Sequence, residues 1–553
     1  MMDWSHHLII LPILLPLTTA ALLLMFDERR RKLKSGINLV ATVTLLALAL
    51  SLLLKAEKLA PAAEVYLLGN WAAPFGIVLV LDQLAALMMV LGSVLGLAAL
   101  IYAVARWHKA GPHFHTLFQL LLMGINGAFL TGDLFNLFVF FEVMLAASYG
   151  LVLHGSGVMR VKAGLHYIAV NLVASSLFLI GVSLIYSVTG SLNMADLAVL
   201  IPDVPAEDRM LLEAGGAVLG IAFLIKAGMW PLNFWLPATY TAAAAPVGAI
   251  FAILSKVGIY VLLRLSPLFF GVSAGMSSGF GDDGIYYGGM LTIAFGLIGV
   301  VASQALGRLA GYSILVSSGT LLAAIGSGNA AMTGGALFYM VSSTLTIAAF
   351  FLLIELIERG QDAAANVLAV TIEAYGDEEE EEEEDEVGIV LPGTLAILGG
   401  CFAVIAILLI GLPPFSGFIA KFVLLTGILN PETSNPAVSD GLPWHSWLLI
   451  ALIVLSGLSA LIAMTRSGIR TFWASMEGRV PRVLVIEVVP IAGLLLICLA
   501  LTIQAGPAMN YMNKTAAGLH DPSQYINSVL QAPRVAKEGD KPVLSLKQEG
   551  RAQ

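Results

Sequence analysis

Long apolar runs separated by short polar stretches extend along most of the chain. Runs of about 20 mostly apolar residues, the length that crosses a bilayer as a helix, recur from the N-terminus to residue 506. We identify fourteen, at residues 7–26, 36–54, 77–105, 115–131, 134–154, 164–188, 212–238, 243–266, 285–304, 311–327, 334–358, 393–428, 446–465 and 484–506. The pattern predicts an all-α polytopic membrane protein with about 14 transmembrane helices.

Two of these runs are interrupted by prolines. Run seven contains Pro231 and Pro237, and run twelve contains Pro413 and Pro414. Proline removes a backbone donor and breaks or kinks a helix, and the freed groups persist in lipid only beside protein or water. Interrupted helices at equivalent places in two halves are typical of inverted-repeat transporters. We predict two inverted five-helix repeats, spans 4–8 and 9–13, each with one broken helix; ordinary proline kinks are the alternative.

This interpretation divides the chain into five parts. They are helices 1–3 (1–106), a first repeat of helices 4–8 (115–266), a second repeat of helices 9–13 (285–465) with an acidic loop at 376–388, helix 14 (484–506), and a polar C-terminal tail (507–553).

Four charged residues lie inside the apolar runs, namely Glu142, Lys226, Lys256 and Lys421. A charge near the bilayer centre costs at least about 2.5–3.5 kcal/mol, so each is a candidate functional residue. The alternative is that the lysines snorkel to an interface, but Lys226 and Lys256 have long apolar flanks on both sides. Glu142 is too short to snorkel and needs a partner.

The opposite charges of Glu142 and the lysines suggest proton transfer. Desolvation disfavours the charged form of an isolated carboxylate or ammonium, so bringing Glu142 and Lys226 together would let both stay ionised. Separating them would release a proton from the lysine, with Lys256 as the expected acceptor. We therefore predict a proton-transfer switch based on a changeable distance.

Composition agrees with a membrane protein. The chain is 58% hydrophobic and 12% charged, with a mean hydropathy of +0.89. Ten consecutive acidic residues at 377–386 account for the net charge of −9, and we expect a solvated loop there, with gathering of cations as an alternative role. Cys401 and Cys498 lie in apolar runs and lack any metal or haem spacing, and no nucleic-acid motif is present.

Basic residues are distributed unevenly between the loops on the two sides. If the loop after span one is cytoplasmic, the inner loops hold 15 basic residues and the outer loops 4. Cytoplasmic loops collect Lys and Arg, so we predict that both termini lie outside.

Several segments resemble a known family. "GDLFNLFVFFEVMLAASYGL", "IKAGMWPLNFWLPATY", "LSKVGIYVLLR" and "GLPPFSGFIAKF" resemble the antiporter-like subunits shared by respiratory complex I and the multi-subunit cation/proton antiporters. The resemblance is strongest to the D subunits of the Mrp-type (Pha- or Mnh-type) Na⁺/H⁺ or K⁺/H⁺ antiporters, and it covers nearly all of residues 1–506.

This resemblance implies residue roles and partners. Glu142 and Lys226 would form the intramembrane ion pair, Lys256 the central relay and Lys421 the end of a lateral proton chain. The resemblance also implies other membrane subunits in a hetero-oligomeric complex, H⁺ and Na⁺ or K⁺ as the transported ions, and a multi-pass location in the bacterial inner membrane. We expect no cofactor, no bound metal and no enzymatic activity.

One departure from the family concerns span eleven. Many relatives have a histidine where this chain has Ser342, and Ser343, Thr344 and Thr346 follow it. Hydroxyls can hold water but do not titrate near neutral pH, so we expect water molecules to carry the proton past this segment. His166 in span six is a weaker candidate for the path; packing hydrogen bonds are the alternative.

The predicted function is proton movement along this chain, coupled to Na⁺ or K⁺ efflux within a larger antiporter complex. One alternative is a proton-pumping subunit of a complex I-like or membrane-bound hydrogenase redox complex. The other is a scaffold that keeps the fold without transporting.

Overall fold

The prediction of an all-α polytopic membrane protein is confirmed. The computed structural model describes residues 6–373, 393–430, 442–473 and 483–534. Twelve helices in these ranges are long and apolar enough to cross a membrane, and the first and fourth predicted spans are shorter apolar helices. The acidic tract 377–386, and with it the loop predicted at 376–388, lies outside the described residues.

Ten helices lie within residues 6–270. They are α1 (Leu11–Leu24), α2 (Arg31–Leu59), α3 (Gln83–Ala105), α4 (Phe114–Leu130), α5 (Leu134–Val152), α6 (Val158–Thr189), α7 (Met194–Leu200), α8 (Ala206–Ala227), α9 (Leu236–Ala242) and α10 (Ala245–Phe270).

Nine more follow in the described part of residues 271–534. They are α11 (Asp282–Ala302), α12 (Leu306–Gly326), α13 (Ala330–Glu373), α14 (Gly393–Ile410), α15 (Ser416–Leu429), α16 (Trp444–Gly468), α17 (Val485–Ile503), α18 (Ala505–His520) and α19 (Ser523–Leu530).

The prediction of one continuous helix over residues 77–105 is wrong at its start. Strands β1 (Glu64–Leu67) and β2 (Val78–Leu81) form a small antiparallel sheet before α3. The sequence VLVL of β2 contains β-branched residues that favour a strand. Asp82 then accepts a hydrogen bond from the Ala85 backbone N–H at 2.9 Å, which caps α3 and fixes its first turn.

The predicted break in span seven is confirmed and separates α8 from α9. Gly228 follows α8 with a φ of +76°, a left-handed conformation that suits glycine. Pro231 lies in the non-helical joint. Pro237 lies in the first turn of α9, where a missing N–H costs no helical hydrogen bond. The break thus ends one half-helix and starts another.

The predicted break in span twelve is also confirmed. Helix α14 ends at Ile410, and Gly411 then adopts a φ of +81°. Pro413 and Pro414 lie in the joint before α15 begins at Ser416. Each series of five predicted spans therefore contains a broken helix at its fourth position.

Two helices form the centre of the bundle. In α10, all of the apolar segment long enough to cross a membrane is buried inside the chain. In α13, 94% of the corresponding segment is buried. By contrast, α2, α14 and α17 bury about a third or less of theirs. Residues carried by the middle of α10 and α13 are therefore shielded from lipid by the chain itself.

The first part of the predicted polar tail is folded. Helices α18 and α19 pack against one face of the bundle, which we call the tail face. The Tyr511 hydroxyl of α18 donates to the Gln83 carbonyl oxygen at 2.8 Å. The Tyr525 ring of α19 lies 4.9 Å from the guanidinium of Arg264, a distance that suits a cation–π contact.

A buried ion network ties α3, α13 and α17 together on the opposite face. The Glu487 carboxylate, whose side chain is 1% exposed, accepts from Arg359 at 2.8 Å and lies 3.3 Å from Arg106. Arg359 also pairs with Glu355 at 2.5 Å, and the Trp107 indole donates to Glu355 at 2.7 Å. Each acid has more than one partner, which a buried charge requires.

Replacing Glu487 with alanine is expected to destabilise the chain by about 3 kcal/mol, because the arginines lose a buried carboxylate. The loss is measured as a lower thermal unfolding midpoint in detergent. Glu207→Ala, at the exposed start of α8, is the control and should cost under about 1 kcal/mol. Equal midpoints for the two variants would contradict the expectation.

Candidate functional site

The four charged residues predicted from the sequence lie on four different helices. Glu142 is in the middle of α5, Lys226 in the last turn of α8, Lys256 in the middle of α10 and Lys421 in α15. The side chains of Lys226 and Lys256 are 8% and 1% exposed, whereas Glu142 and Lys421 are half-buried.

Lys226 lies where α8 is interrupted. The negative end of the helix dipole stabilises a cation in the last turn. Its ammonium donates to the Asn171 side-chain oxygen of α6 at 2.5 Å. The partner in this conformation is thus a neutral amide.

The predicted direct ion pair between Glu142 and Lys226 is not formed in this structure. Among the described residues, no basic nitrogen lies within 4.0 Å of the Glu142 carboxylate. Glu142 instead accepts a hydrogen bond from the Ser175 hydroxyl. Asn171 and Ser175 are one turn, or about 6 Å, apart along α6, and α6 packs against both α5 and α8. Helix α6 therefore places two neutral polar groups beside the two charges.

Lys256 is held by hydroxyl groups in the centre of the bundle. Its ammonium donates to Ser317 at 2.9 Å and to Ser318 at 3.4 Å, both on α12. Ser317 also forms a 2.9 Å hydrogen bond with Ser343 of α13. Within the described ranges, no carboxylate lies within 4.0 Å of the Lys256 ammonium. The lysine can lose its proton without breaking an ion pair.

A small polar cavity continues this chain toward Lys421. It has a volume of about 30 Å³, and Ser317, Ser342, Ser343, Tyr339 and Lys421 are among its lining residues. A polar cavity of this size has room for at least one water molecule. The cavity lies between the hydroxyls that hold Lys256 and the half-helix that carries Lys421.

Lys421 uses the carbonyl groups freed by the break in span twelve. Its ammonium donates to Ile410 at 2.9 Å and to Leu409 at 3.4 Å. These are the last residues of α14, whose carbonyls have no partner further along the helix. The broken helix thus supplies both the lysine and its acceptors.

The hydroxyls predicted to support a water path divide into two groups. Ser342, Ser343 and Thr346 line the cavity, and Ser342 also bonds to Ser416 of α15 at 2.8 Å. The Thr344 hydroxyl instead donates to the Met340 carbonyl oxygen of its own helix and does not line the cavity.

His166 lies away from these groups. Its ring nitrogen Nδ1 is 2.8 Å from the Lys162 carbonyl oxygen on the exposed surface of α6. The structure does not bring it to the lysine chain.

Close packing brings α10 against α8 beside Lys226. A Cβ atom added to Gly258 would lie 2.9 Å from the Phe223 carbonyl oxygen and 3.1 Å from the Lys226 Cβ. Glycine at 258 lets the helix with Lys256 approach the one with Lys226. In the described part of the chain, no hydrogen bond joins the two lysines directly.

Most of the polar partners were not predicted from the sequence. Ser175, Ser317, Ser318 and Ser416 each contact one of the charged residues or the span-eleven hydroxyls. For Asn171 the sequence favours packing hydrogen bonds, with a role in the proton path as the alternative. One feature of the sequence could have identified two of these partners: the four-residue spacing of Asn171 and Ser175, which places both side chains on one face of a helix.

The described residues contain no group of three or more His, Cys, Asp or Glu side chains that could hold a metal ion. The polar groups of the site are ammonium groups, hydroxyls, one side-chain amide, one carboxylate and the backbone carbonyls that bind Lys421.

Comparison with known proteins gives consistent results. A family model described as "NADH:quinone oxidoreductase/Mrp antiporter, TM" matches residues 131–439. The chain is 61% identical over 541 residues to a probable K⁺/H⁺ antiporter D subunit of Rhizobium meliloti (strain 1021), covering 97% of this chain and 100% of the relative. It is 34% identical to the Na⁺/H⁺ antiporter D subunit of Alkalihalophilus pseudofirmus, over 95% and 100% of the two chains. A chain in the structure of the Mrp complex from Dietzia sp. is similar with a TM-score of 0.77 and 27% identity, over 96% of this chain and 100% of that one.

Proposed function

The chain belongs to the NADH:quinone oxidoreductase/Mrp antiporter transmembrane family, and we propose that it is the proton-translocating subunit of a multi-subunit monovalent cation/proton antiporter. Its relatives include the D subunits of a K⁺/H⁺ and a Na⁺/H⁺ antiporter. In this proposal, protons move along Glu142, Lys226, Lys256 and Lys421 and are coupled to efflux of Na⁺ or K⁺.

The observation that carries the proposal is the placement of the lysines beside neutral hydrogen-bond partners. The ammonium of Lys256 contacts two hydroxyls, and that of Lys226 contacts an amide. A buried ammonium is costly in a membrane, and neutral partners offset only part of that cost. Small changes in the surroundings can therefore decide whether each lysine keeps its proton.

Glu142 is the group that can shift this balance at Lys226. When the carboxylate leaves Ser175 and approaches Lys226, the opposite charge favours the ammonium form. When it returns to Ser175, Lys226 keeps only Asn171 and releases its proton more readily. The released proton passes through ordered water toward Lys256, whose helix packs closely against α8 at Gly258.

Between Lys256 and Lys421 the hydroxyls and water carry the proton. A hydroxyl both donates and accepts, so Ser317 and Ser343 can pass a proton to water in the cavity without a charge residing on them. Lys421 then accepts the proton, and the carbonyl oxygens of Ile410 and Leu409 stabilise its ammonium form.

The perimeter of the chain supports a location within a larger membrane complex. Glu142 is half-buried, and much of α6 beside it is exposed in the isolated chain. A carboxylate in contact with lipid would be costly. We propose that another membrane subunit covers this surface in the bacterial inner membrane, and that the remaining perimeter contacts lipid.

The division of the chain and its orientation are part of the same proposal. The two antiporter-like units are residues 115–266 and 285–465, preceded by helices 1–3 and followed by helix 14 and the tail. The excess of basic residues in one set of loops, 15 against 4, supports an external location for both termini.

Replacing Lys226 with methionine is expected to lower exchange about 100-fold, the usual effect of losing a proton-transfer group. The measurement is the pH change driven by added Na⁺ or K⁺ in vesicles that contain the whole complex. Lys58→Met, at the exposed end of α2, is the control and should behave as wild type. Equal exchange by the two variants, at equal amounts of complex, would overturn the proposed role of Lys226.

A further inference from the structure

A second cavity, lined by both polar and apolar residues, lies at the tail face. Its volume is about 180 Å³, and it lies where α10 and α12 end, where α11 and α13 begin, and under the end of α18. Its lining includes the polar residues Ser266, Asp282, Thr333 and His520. We call it the tail-face vestibule.

Each titratable group in the vestibule is paired with a hydroxyl. Ser266 donates to the Asp282 carboxylate at 3.3 Å, and the Thr333 hydroxyl lies 3.0 Å from His520 Nε2. Burial lowers the pKa of His520 below its ordinary value, because desolvation disfavours the imidazolium, so the ring is neutral at rest and readily releases a proton that reaches it. A carboxylate and a neutral imidazole therefore face one cavity.

The vestibule opens toward solvent. Val272, Ser278 and Gly279 line it from the connection between α10 and α11, and all three are exposed. Val272 is 96% exposed. Water can reach Asp282 and His520 from the tail face without crossing the bundle.

The vestibule is aligned with the Lys256 site. Its wall includes Leu263, seven residues beyond Lys256 on α10, and Ile325, seven residues beyond Ser318 on α12. Seven helical residues span about 10 Å. Thr333, on α13, lies ten residues before Ser343. Helix α10, which carries Lys256, and helices α12 and α13, which carry the serines of its hydrogen-bond chain, therefore also form walls of the vestibule, closer to the tail face.

We propose that the tail-face vestibule is the end of the proton path that serves Lys256 on this face, with Asp282 and His520 as the exchanging groups. This inference rests on the proposed function. A proton leaves the Lys256 ammonium, crosses by water and hydroxyls, and converts the Asp282 carboxylate to the acid or the His520 ring to imidazolium. The same group then releases it to water at the mouth.

Transport measurements on the whole complex test the inference. The double variant Asp282→Asn/His520→Gln is expected to lower exchange at least about 10-fold, and each single variant by less, because the other group remains. Asp283→Asn is the matched control, because Asp283 is the next residue, is exposed and does not line the cavity. A double-variant complex that exchanges at the Asp283→Asn rate would overturn the inference.

Accessibility gives a test that does not depend on transport. In a chain with Cys401 and Cys498 replaced by alanine, Ser266→Cys, at a half-buried position that lines the vestibule, is expected to react with a membrane-impermeant, positively charged methanethiosulfonate added at the tail face. Leu337→Cys, on α13 and fully buried, should remain unlabelled. Absence of labelling at position 266 would overturn the inference even if Asp282→Asn failed to assemble.

The two proposals fail in different ways. If Lys256→Met leaves exchange intact, the proposed function is wrong. If Lys256→Met abolishes exchange while the double variant Asp282→Asn/His520→Gln and Asp283→Asn both match wild type, only the vestibule is wrong.

Discussion

Replacing Lys256 with methionine is expected to reduce cation-driven proton exchange by at least about 100-fold. Methionine has a similar length and suits the buried position, but it cannot bind or release a proton. The hydroxyls of Ser317 and Ser318 would lose their charged donor, and the chain toward Lys421 would lose its central relay. The measurement is the initial rate of pH change in vesicles that contain the whole complex.

Two further variants define the role of Lys256. Arginine keeps a positive charge but does not release its proton in proteins, so Lys256→Arg is expected to be as inactive as Lys256→Met. Ser255→Ala is the control, since Ser255 is also buried in α10 but its hydroxyl donates to the Ala252 carbonyl oxygen of its own helix. Activity retained by the arginine variant would show that the position needs a fixed charge and not a relay.

The sequence was sufficient to predict most of the fold. In a membrane, every backbone polar group must be satisfied within the protein, so apolar runs of helical length leave little choice of structure. The breaks were predictable for the same reason, because a helix cannot continue through Pro231 or Pro413 without losing a backbone hydrogen bond. The β1–β2 sheet was missed because its second strand, VLVL, is as apolar as the helix that follows it.

The site was predicted less completely. A charged side chain inside the membrane needs partners that offset its cost, so Lys256 and Glu142 were identifiable as candidate functional residues from their positions alone. Their partners were not identifiable from the sequence, because serine occurs in many membrane helices. Only the packing of α12 against α10 shows that Ser317 contacts Lys256. The same limit explains why Glu142 was expected to contact Lys226 directly and not Ser175.

The tail shows another limit. Residues 505–530 lack the long apolar run that identifies a span, so a polar tail was the natural expectation. The folded helices depend on contacts distant in sequence, such as the stacking of Tyr525 on Arg264. Contacts between residues this far apart are not visible in a hydropathy pattern.

Replacing Glu142 with glutamine is expected to lower exchange about 100-fold while the complex still assembles. Glutamine has nearly the same shape and can still accept the hydrogen bond from Ser175, but it cannot attract the Lys226 ammonium by charge. The charge near Lys226 would then no longer change, and we propose that this change drives proton release from Lys226. The rate of exchange and the amount of assembled complex are measured on the same vesicles.

A second substitution tests whether the carboxylate near Lys226 must move or only needs to be close to it. Asn171→Asp places a carboxylate where the amide oxygen now lies, 2.5 Å from the Lys226 ammonium. If a permanent ion pair were sufficient, this change would restore exchange to Glu142→Gln. We expect it to hold Lys226 in its charged form, so that Asn171→Asp is inactive alone and fails to rescue Glu142→Gln. Ser176→Ala, at an exposed position of α6 next to Ser175, should retain wild-type exchange. Rescue by Asn171→Asp would show that movement of the Glu142 carboxylate between Ser175 and Lys226 is not needed.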